Sequence, residues 1–140
     1  MKVRVMLVRE GRREAEIQIS GPETAFKFLK PKAKDLDREH FWRIDLDARN
    51  KIIGYEVVSI GTLTASLVHP REVFVGALLS KSAGVIVAHN HPSGEITPSP
   101  EDKETTRRLV KAGELIGVPV LDHLIVSDGK YFSFKESGLL

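Results

Sequence analysis

The chain has 140 residues, 41% of them hydrophobic and 29% charged, with no cysteine and a formal net charge of +2. That length suits one domain with a real core, and that composition excludes disordered, fibrous and disulfide-stapled classes. No apolar run approaches a membrane span and Met1-Lys2-Val3-Arg4 opens no signal-peptide core, so a cytoplasmic protein without membrane contact is expected.

In chain order, Val3, Val5 and Leu7 alternate with Lys2, Arg4 and Met6. After Glu10-Gly11-Arg12-Arg13, Ala15, Ile17 and Ile19 alternate with Glu14, Glu16 and Gln18, which predicts a β-hairpin. Ser20-Gly21-Pro22-Glu23 has capping-box spacing, and Ala25, Phe26 and Leu29 give a short amphipathic helix that Pro31 is expected to stop. Residues 1–38 therefore read as an N-terminal hairpin-plus-helix extension, either lengthening the main sheet or standing as an appendage. They hold ten Lys or Arg against six Asp or Glu, net +4, while the remainder is net −2. A basic first quarter fits a solvated surface or an acidic partner, weak DNA association included, but no aromatic residues interleave as a stacking platform.

From Phe41 the pattern has period two, with Trp42, Ile44 and Leu46 on one face. Ala48-Arg49-Asn50-Lys51 makes a turn, and Ile52 to Ile60 forms the partner strand. Trp42 reads as core. Residues 70–82 carry a helical apolar set in Val73, Ala77 and Leu78, and His69, just before Pro70, reads as local to that helix start. Gly84-Val85-Ile86-Val87-Ala88 is an unbroken apolar run, the signature of a strand buried on both faces.

Two histidines stand at that strand's carboxyl end. Side chains alternate, so His89 and His91 project from one face, about 6.6 Å apart along the backbone, while Asn90 points away. Pro92 and Ser93-Gly94 take the chain out of the sheet. Ser99-Pro100-Glu101-Asp102 then starts a helix, with serine at the N-cap and proline at the first helical position. Asp102, Thr105, Leu109, Ala112 and Ile116 recur at intervals of three and four, which aims the Asp102 carboxylate inward, toward the histidines. Alone, S-x-x-D is a capping box and His-x-His a structural pair. Together they suit a catalytic zinc ion with three protein ligands and one open position. The absence of cysteine disfavours structural zinc sites and a cytidine-deaminase site.

The second long helix ends near Gly117, with Pro119 beyond it. Val120 to Val126 is a strand, Asp128-Gly129-Lys130 a turn and Tyr131 to Phe134 a last short strand. His123 interrupts an apolar strand, either as a hydrogen-bonded core histidine or as a support for the metal ligands. The elements sum to a three-layer α/β domain, one mixed sheet with helices on its faces.

H-x-H-P followed by S-x-x-D, with an upstream glutamate, resembles the JAMM motif of MPN-domain metallopeptidases. The fuller HNHPSG, with Arg71-Glu72-Val73, Asp122-His123, Ser133-Phe134 and Gly138-Leu139-Leu140, is similar to the RadC-like branch from about Glu39 onward. The resemblance implies a JAB/MPN, cytidine-deaminase-like fold over residues 39–140. It also implies one zinc ion held by His89, His91 and Asp102, Glu39 as general base, and Ser99 supporting the reacting oxygen. It implies hydrolysis of peptide or isopeptide bonds in a protein or peptide substrate. Physical reading alone leaves Glu56 and Glu72 beside Glu39 as candidates for the base. RadC-like proteins commonly carry a helical, helix-hairpin-helix region at the N-terminus, where this chain has a hairpin pattern, so a DNA-associated, repair-type role stands only as an alternative to the hydrolase. Two further readings stand beside the hydrolase: nucleic-acid binding through the basic first quarter, and a non-catalytic scaffold. A nuclease of the HNH type is disfavoured, since those sites spread their histidines and asparagine over separate elements.

Overall fold

Strand alternation sorts the apolar residues onto two faces of one sheet, and each face needs cover. A computed structural model of the chain describes residues 1–12, 16–61 and 68–140. Its elements are α1 (Pro22–Ala33), β1 (His40–Leu46), β2 (Ile52–Ile60), α2 (Pro70–Leu79), β3 (Gly84–Asn90), α3 (Pro100–Ile116), β4 (Val120–Ser127) and β5 (Lys130–Ser133). The sheet order is β2-β1-β3-β4-β5, antiparallel throughout except for the β3–β4 pair, which is parallel and crosses over through α3.

On one face Trp42, Ile44, Leu46, Ile86, Ala88, Leu124 and Val126 pack with Ala25, Phe28 and Leu29 of α1. On the other, Phe41, Val85, Val87 and Val120 pack with Val73, Phe74 and Ala77 of α2 and Leu109 of α3. The three-layer architecture with a mixed sheet is therefore as the sequence indicates. Each fully buried Leu or Ile on these faces contributes about 1.5–3 kcal/mol.

Three details differ from expectation. The first strand of the N-terminal hairpin does not form: residues 1–10 have no regular element, and Val3, Val5 and Val8 are exposed. Alternation shows that a segment can lie on a face, not that a face is there to receive it, and Met6 and Val8 put apolar groups on both sides of this one. The expected turn partly falls in residues 13–15, outside the described residues. Ile17 and Ile19 do use their alternation, against the main sheet: Gln18 bridges Lys51, the Ile19 N–H donates to the Asn50 carbonyl at 2.8 Å, and the Ile52 N–H to the Ile17 carbonyl at 2.9 Å.

Second, α1 runs through Pro31 to Ala33, and its buried residues belong to the main core. Pro31 sits in the final turn, where the lost N–H bond weakens a helix about to end anyway. Gly21, not Ser20, is the N-cap, and the Ser20 hydroxyl pairs with that of Thr24 instead. Third, the buried stripe of α3 is Asp102, Thr105, Thr106, Leu109 and Gly113, while Ile116 is exposed.

Beneath α2, β1 buries polar groups where a central strand usually carries aliphatic ones. The Arg43 guanidinium donates to both Asp45 oxygens, at 2.6 and 3.0 Å, to the Val73 carbonyl at 2.9 Å and to Glu56 at 2.5 Å. Gly76 makes room for it, because a Cβ there would lie 2.5 Å from an Arg43 nitrogen.

Candidate metal centre

The site forms where β3 leaves the sheet. His89 is the last but one residue of β3, facing α3, and His91 follows just beyond the strand. Its main chain is anchored on β4: the His91 N–H donates to the Val126 carbonyl at 3.2 Å, and the Ser127 hydroxyl to the His91 carbonyl at 2.5 Å. Asp102 enters from the first turn of α3, held by a reciprocal capping box. The Asp102 N–H donates to Ser99 Oγ at 3.0 Å and the Ser99 N–H to Asp102 Oδ2 at 2.9 Å.

These elements bring three donors to one point. His89 Nε2 and His91 Nε2 are 2.9 Å apart, His89 Nε2 lies 3.2 Å from Asp102 Oδ1, and His91 Nε2 lies 3.2 Å from Asp102 Oδ2. Tetrahedral zinc with bonds of about 2.0–2.1 Å spaces its ligand atoms about 3.3 Å apart, so the cluster is close to that shape. His91 Nδ1 donates to the Glu95 carbonyl at 2.8 Å, which leaves Nε2 with its lone pair toward the cluster when the ring is neutral. Burial alone would raise the Asp102 carboxyl, but whenever His89 and His91 carry hydrogen on Nε2 their bonds to it outweigh burial and hold the group well below the usual carboxylate range. Asp102 in turn raises His91 above its ordinary value. Two nitrogen lone pairs and a carboxylate, meeting within 4.8 Å of one another, form a group that could hold a metal ion, and a borderline divalent cation such as zinc suits these donors.

The upstream glutamate arrives by strand pairing. β1 lies antiparallel beside β3, with Phe41 opposite His89, so Glu39, just before β1, stands at the end of the sheet where His91 follows β3. Its charge is near enough to contribute to the raised His91 value. Asn90, between the two histidines and pointing away from them, holds this segment on both sides. Its Oδ1 accepts from the His40 N–H at 2.6 Å and its Nδ2 donates to the Arg38 carbonyl at 3.0 Å. The Gly61 N–H donates to the Glu39 carbonyl at 2.9 Å. A cleft of about 420 Å³ is lined by Asp37, Arg38, Glu39, Gly61 and Pro92, the last of these next in sequence to His91. The competing carboxylates lie elsewhere: Glu56 is bonded to Arg43, and Glu72 stands exposed in the first turn of α2.

His69 is the N-cap residue of α2, local to that helix as expected. Ser99 Oγ already accepts from the Asp102 N–H, while its hydroxyl hydrogen is available to donate. His123 is fully buried with Nε2 2.8 Å from His89 Nδ1, and burial first, then the His89 charge, pushes its value far down. Thr106 was not among the candidates from sequence, yet its hydroxyl lies 2.6 Å from His123 Nδ1. Its position four residues after Asp102, on the same helix face, was the available signal.

Among the described residues no helix is long and apolar enough to cross a membrane. Compared with known proteins, residues 19–139 match the RadC-like JAB domain, so the likeness starts well before Glu39 and takes in α1. The chain is 56% identical over 124 residues to a UPF0758 protein of Symbiobacterium thermophilum, covering 89% of this chain and 53% of that protein. It is 47% identical over 127 residues to one from Methanosarcina mazei (91% and 56%) and 50% identical over 122 residues to one from Rubrobacter xylanophilus (87% and 53%). It thus spans about half the length of these curated relatives. With the donor cluster, the capping box and the strand order in place, and with nearly the whole chain matched, the protein belongs to the RadC-like JAB domain family.

Proposed function

We propose that this domain is a zinc-dependent hydrolase of amide bonds, acting on a protein or peptide substrate. The observation that carries the proposal is the convergence of His89, His91 and Asp102, and Glu39 is near enough for its charge to act on His91. Zinc, when bound there, would acidify a water molecule and polarise the scissile carbonyl. Glu39 takes the proton of the attacking water and returns it to the leaving amine nitrogen. The Ser99 hydroxyl donates to the carbonyl oxygen as negative charge gathers on it. Asn90 and Gly61 keep the Glu39 main chain at the cleft while this happens.

The test joins elemental analysis to a screen of fluorogenic peptide and isopeptide substrates. Wild type is expected to hold one zinc per chain and His91→Ala none. Glu39→Gln is expected to keep its zinc while losing roughly 10²–10⁴-fold in rate. A Glu39→Gln protein as fast as wild type on any cleaved substrate would remove Glu39 from the chemistry.

A further inference from the structure

The chemistry above leaves the fully buried His123 without a task. Its surroundings can be read hydrogen by hydrogen. The Thr106 hydroxyl donates to the Asp102 main-chain carbonyl at 2.8 Å. A hydroxyl has one hydrogen, so at the 2.6 Å contact with His123 Nδ1 the oxygen accepts and Nδ1 carries the hydrogen. The His123 ring is stacked on Phe134, centroids 4.7 Å apart, and edge-on to Phe41 at 5.8 Å, an apolar cage that disfavours a charged imidazole. Neutral, with its hydrogen on Nδ1, the ring presents the Nε2 lone pair to His89. His89 Nδ1, 2.8 Å away, must then be the donor, and in the neutral ring this bares His89 Nε2 toward His91 and Asp102.

We propose that Thr106 and His123 are positioning residues that fix His89 in its metal-binding tautomer, through a relay that begins at Asp102's own carbonyl and ends at the ligand beside its carboxylate. Metal-bound histidines commonly donate to a carboxylate or a carbonyl, which can only accept. An imidazole in that place is ambiguous, since either nitrogen can carry the hydrogen. Thr106 removes the ambiguity by accepting on the far side. The relay ties three elements together: α3 through Asp102 and Thr106, β4 through His123, and β3 through His89. The inference rests on the three-residue cluster as a metal site and not on amide hydrolysis.

The experiment compares wild type with Thr106→Val, which keeps the shape without the hydroxyl, and Thr106→Ser, which restores the hydroxyl. His123→Phe is added to remove the imidazole. Long-range proton–nitrogen spectra of the metal-free proteins at mildly alkaline pH report the His89 tautomer, and competition with a chromophoric chelator gives zinc affinity. Wild type and Thr106→Ser are expected to show hydrogen on His89 Nδ1 and equal affinity. Thr106→Val is expected to shift His89 toward the Nε2 form and to bind zinc about 10–100-fold more weakly. A wild-type His89 with its hydrogen on Nε2, or a Thr106→Val protein binding zinc as tightly as wild type, overturns the relay. If His123→Phe does not fold, the Thr106 pair decides alone. A wild type that takes up no zinc sinks the metal reading, while the nitrogen spectra still decide the relay. One that binds zinc in the expected tautomer but cleaves no amide sinks the hydrolase reading and supports the relay.

Discussion

Asp47 closes the β1–β2 turn with one oxygen, Oδ1, which accepts from the Arg49 N–H at 2.8 Å and the Lys51 N–H at 2.9 Å. The Lys51 bond, followed by that from Arg49, favours the charged carboxylate and lowers its value. A lowered folded value means stability that is present above the unfolded pKa, near 4, and lost as pH falls through the folded one. Asp47→Asn is therefore expected to melt below wild type at pH 7, with the gap closing under more acid conditions. Melting midpoints across that range check this, and a gap independent of pH would refute it. The same scale shows which site residues sequence could yield. His89, His91 and Asp102 lie within one short stretch, and strand and helix periodicity aims them together. Glu39 needed the family resemblance, because it reaches the cluster only by the pairing of β1 with β3. Thr106 escaped notice because its partner, His123, comes from β4 and meets it only in the folded chain.

Helices and strands carry a second lesson in β1. Period two correctly puts Trp42, Ile44 and Leu46 on the α1 face, but on the opposite face Phe41 is followed by Arg43 and Asp45, which no hydropathy pattern assigns to an interior. Their burial works because each has a partner in place: the guanidinium finds Asp45, Glu56 and the Val73 carbonyl, and Gly76 lets α2 come close enough to offer the last of these. Removing one member strands the other. Arg43→Ala is expected to cost about 3–5 kcal/mol, and Arg43→Met combined with Asp45→Leu to recover most of that loss, as read by urea unfolding. Equal losses in the single and double variants would mean that the pair is not what stabilises this layer. The α3 stripe was legible at its start and drifted at its end, where the Gly113 contact with the Val118 carbonyl, not Ile116, makes the inner face.

At the scale of the whole molecule, the core begins at Ile17 among the described residues. Ile17 and Ile19 pack against the α1-side cluster, whereas residues 1–12 leave Val3, Val5, Met6 and Val8 in solvent. Deleting residues 1–12 is expected to change unfolding free energy by less than about 0.5 kcal/mol, while a deletion extended through Ser20 lowers it clearly. Denaturant titrations of the two truncations check both outcomes, and equal stability would place the edge of the core later. The sheet and its helices were readable from periodicity, but the role of the first quarter was not, since a pattern that permits a hairpin does not supply the surface for it. The tie made by Asn90 has a consequence for how such a site can diverge. It grips only main-chain atoms of residues 38 and 40. Position 38 can therefore accept a new side chain without loosening this tie, whereas the His40 ring also reaches the Arg38 carbonyl through Nδ1 at 3.0 Å, so the restraint falls on Asn90 and His40. Pairwise substitution statistics would register no partner for Asn90, although it spans the two halves of the site.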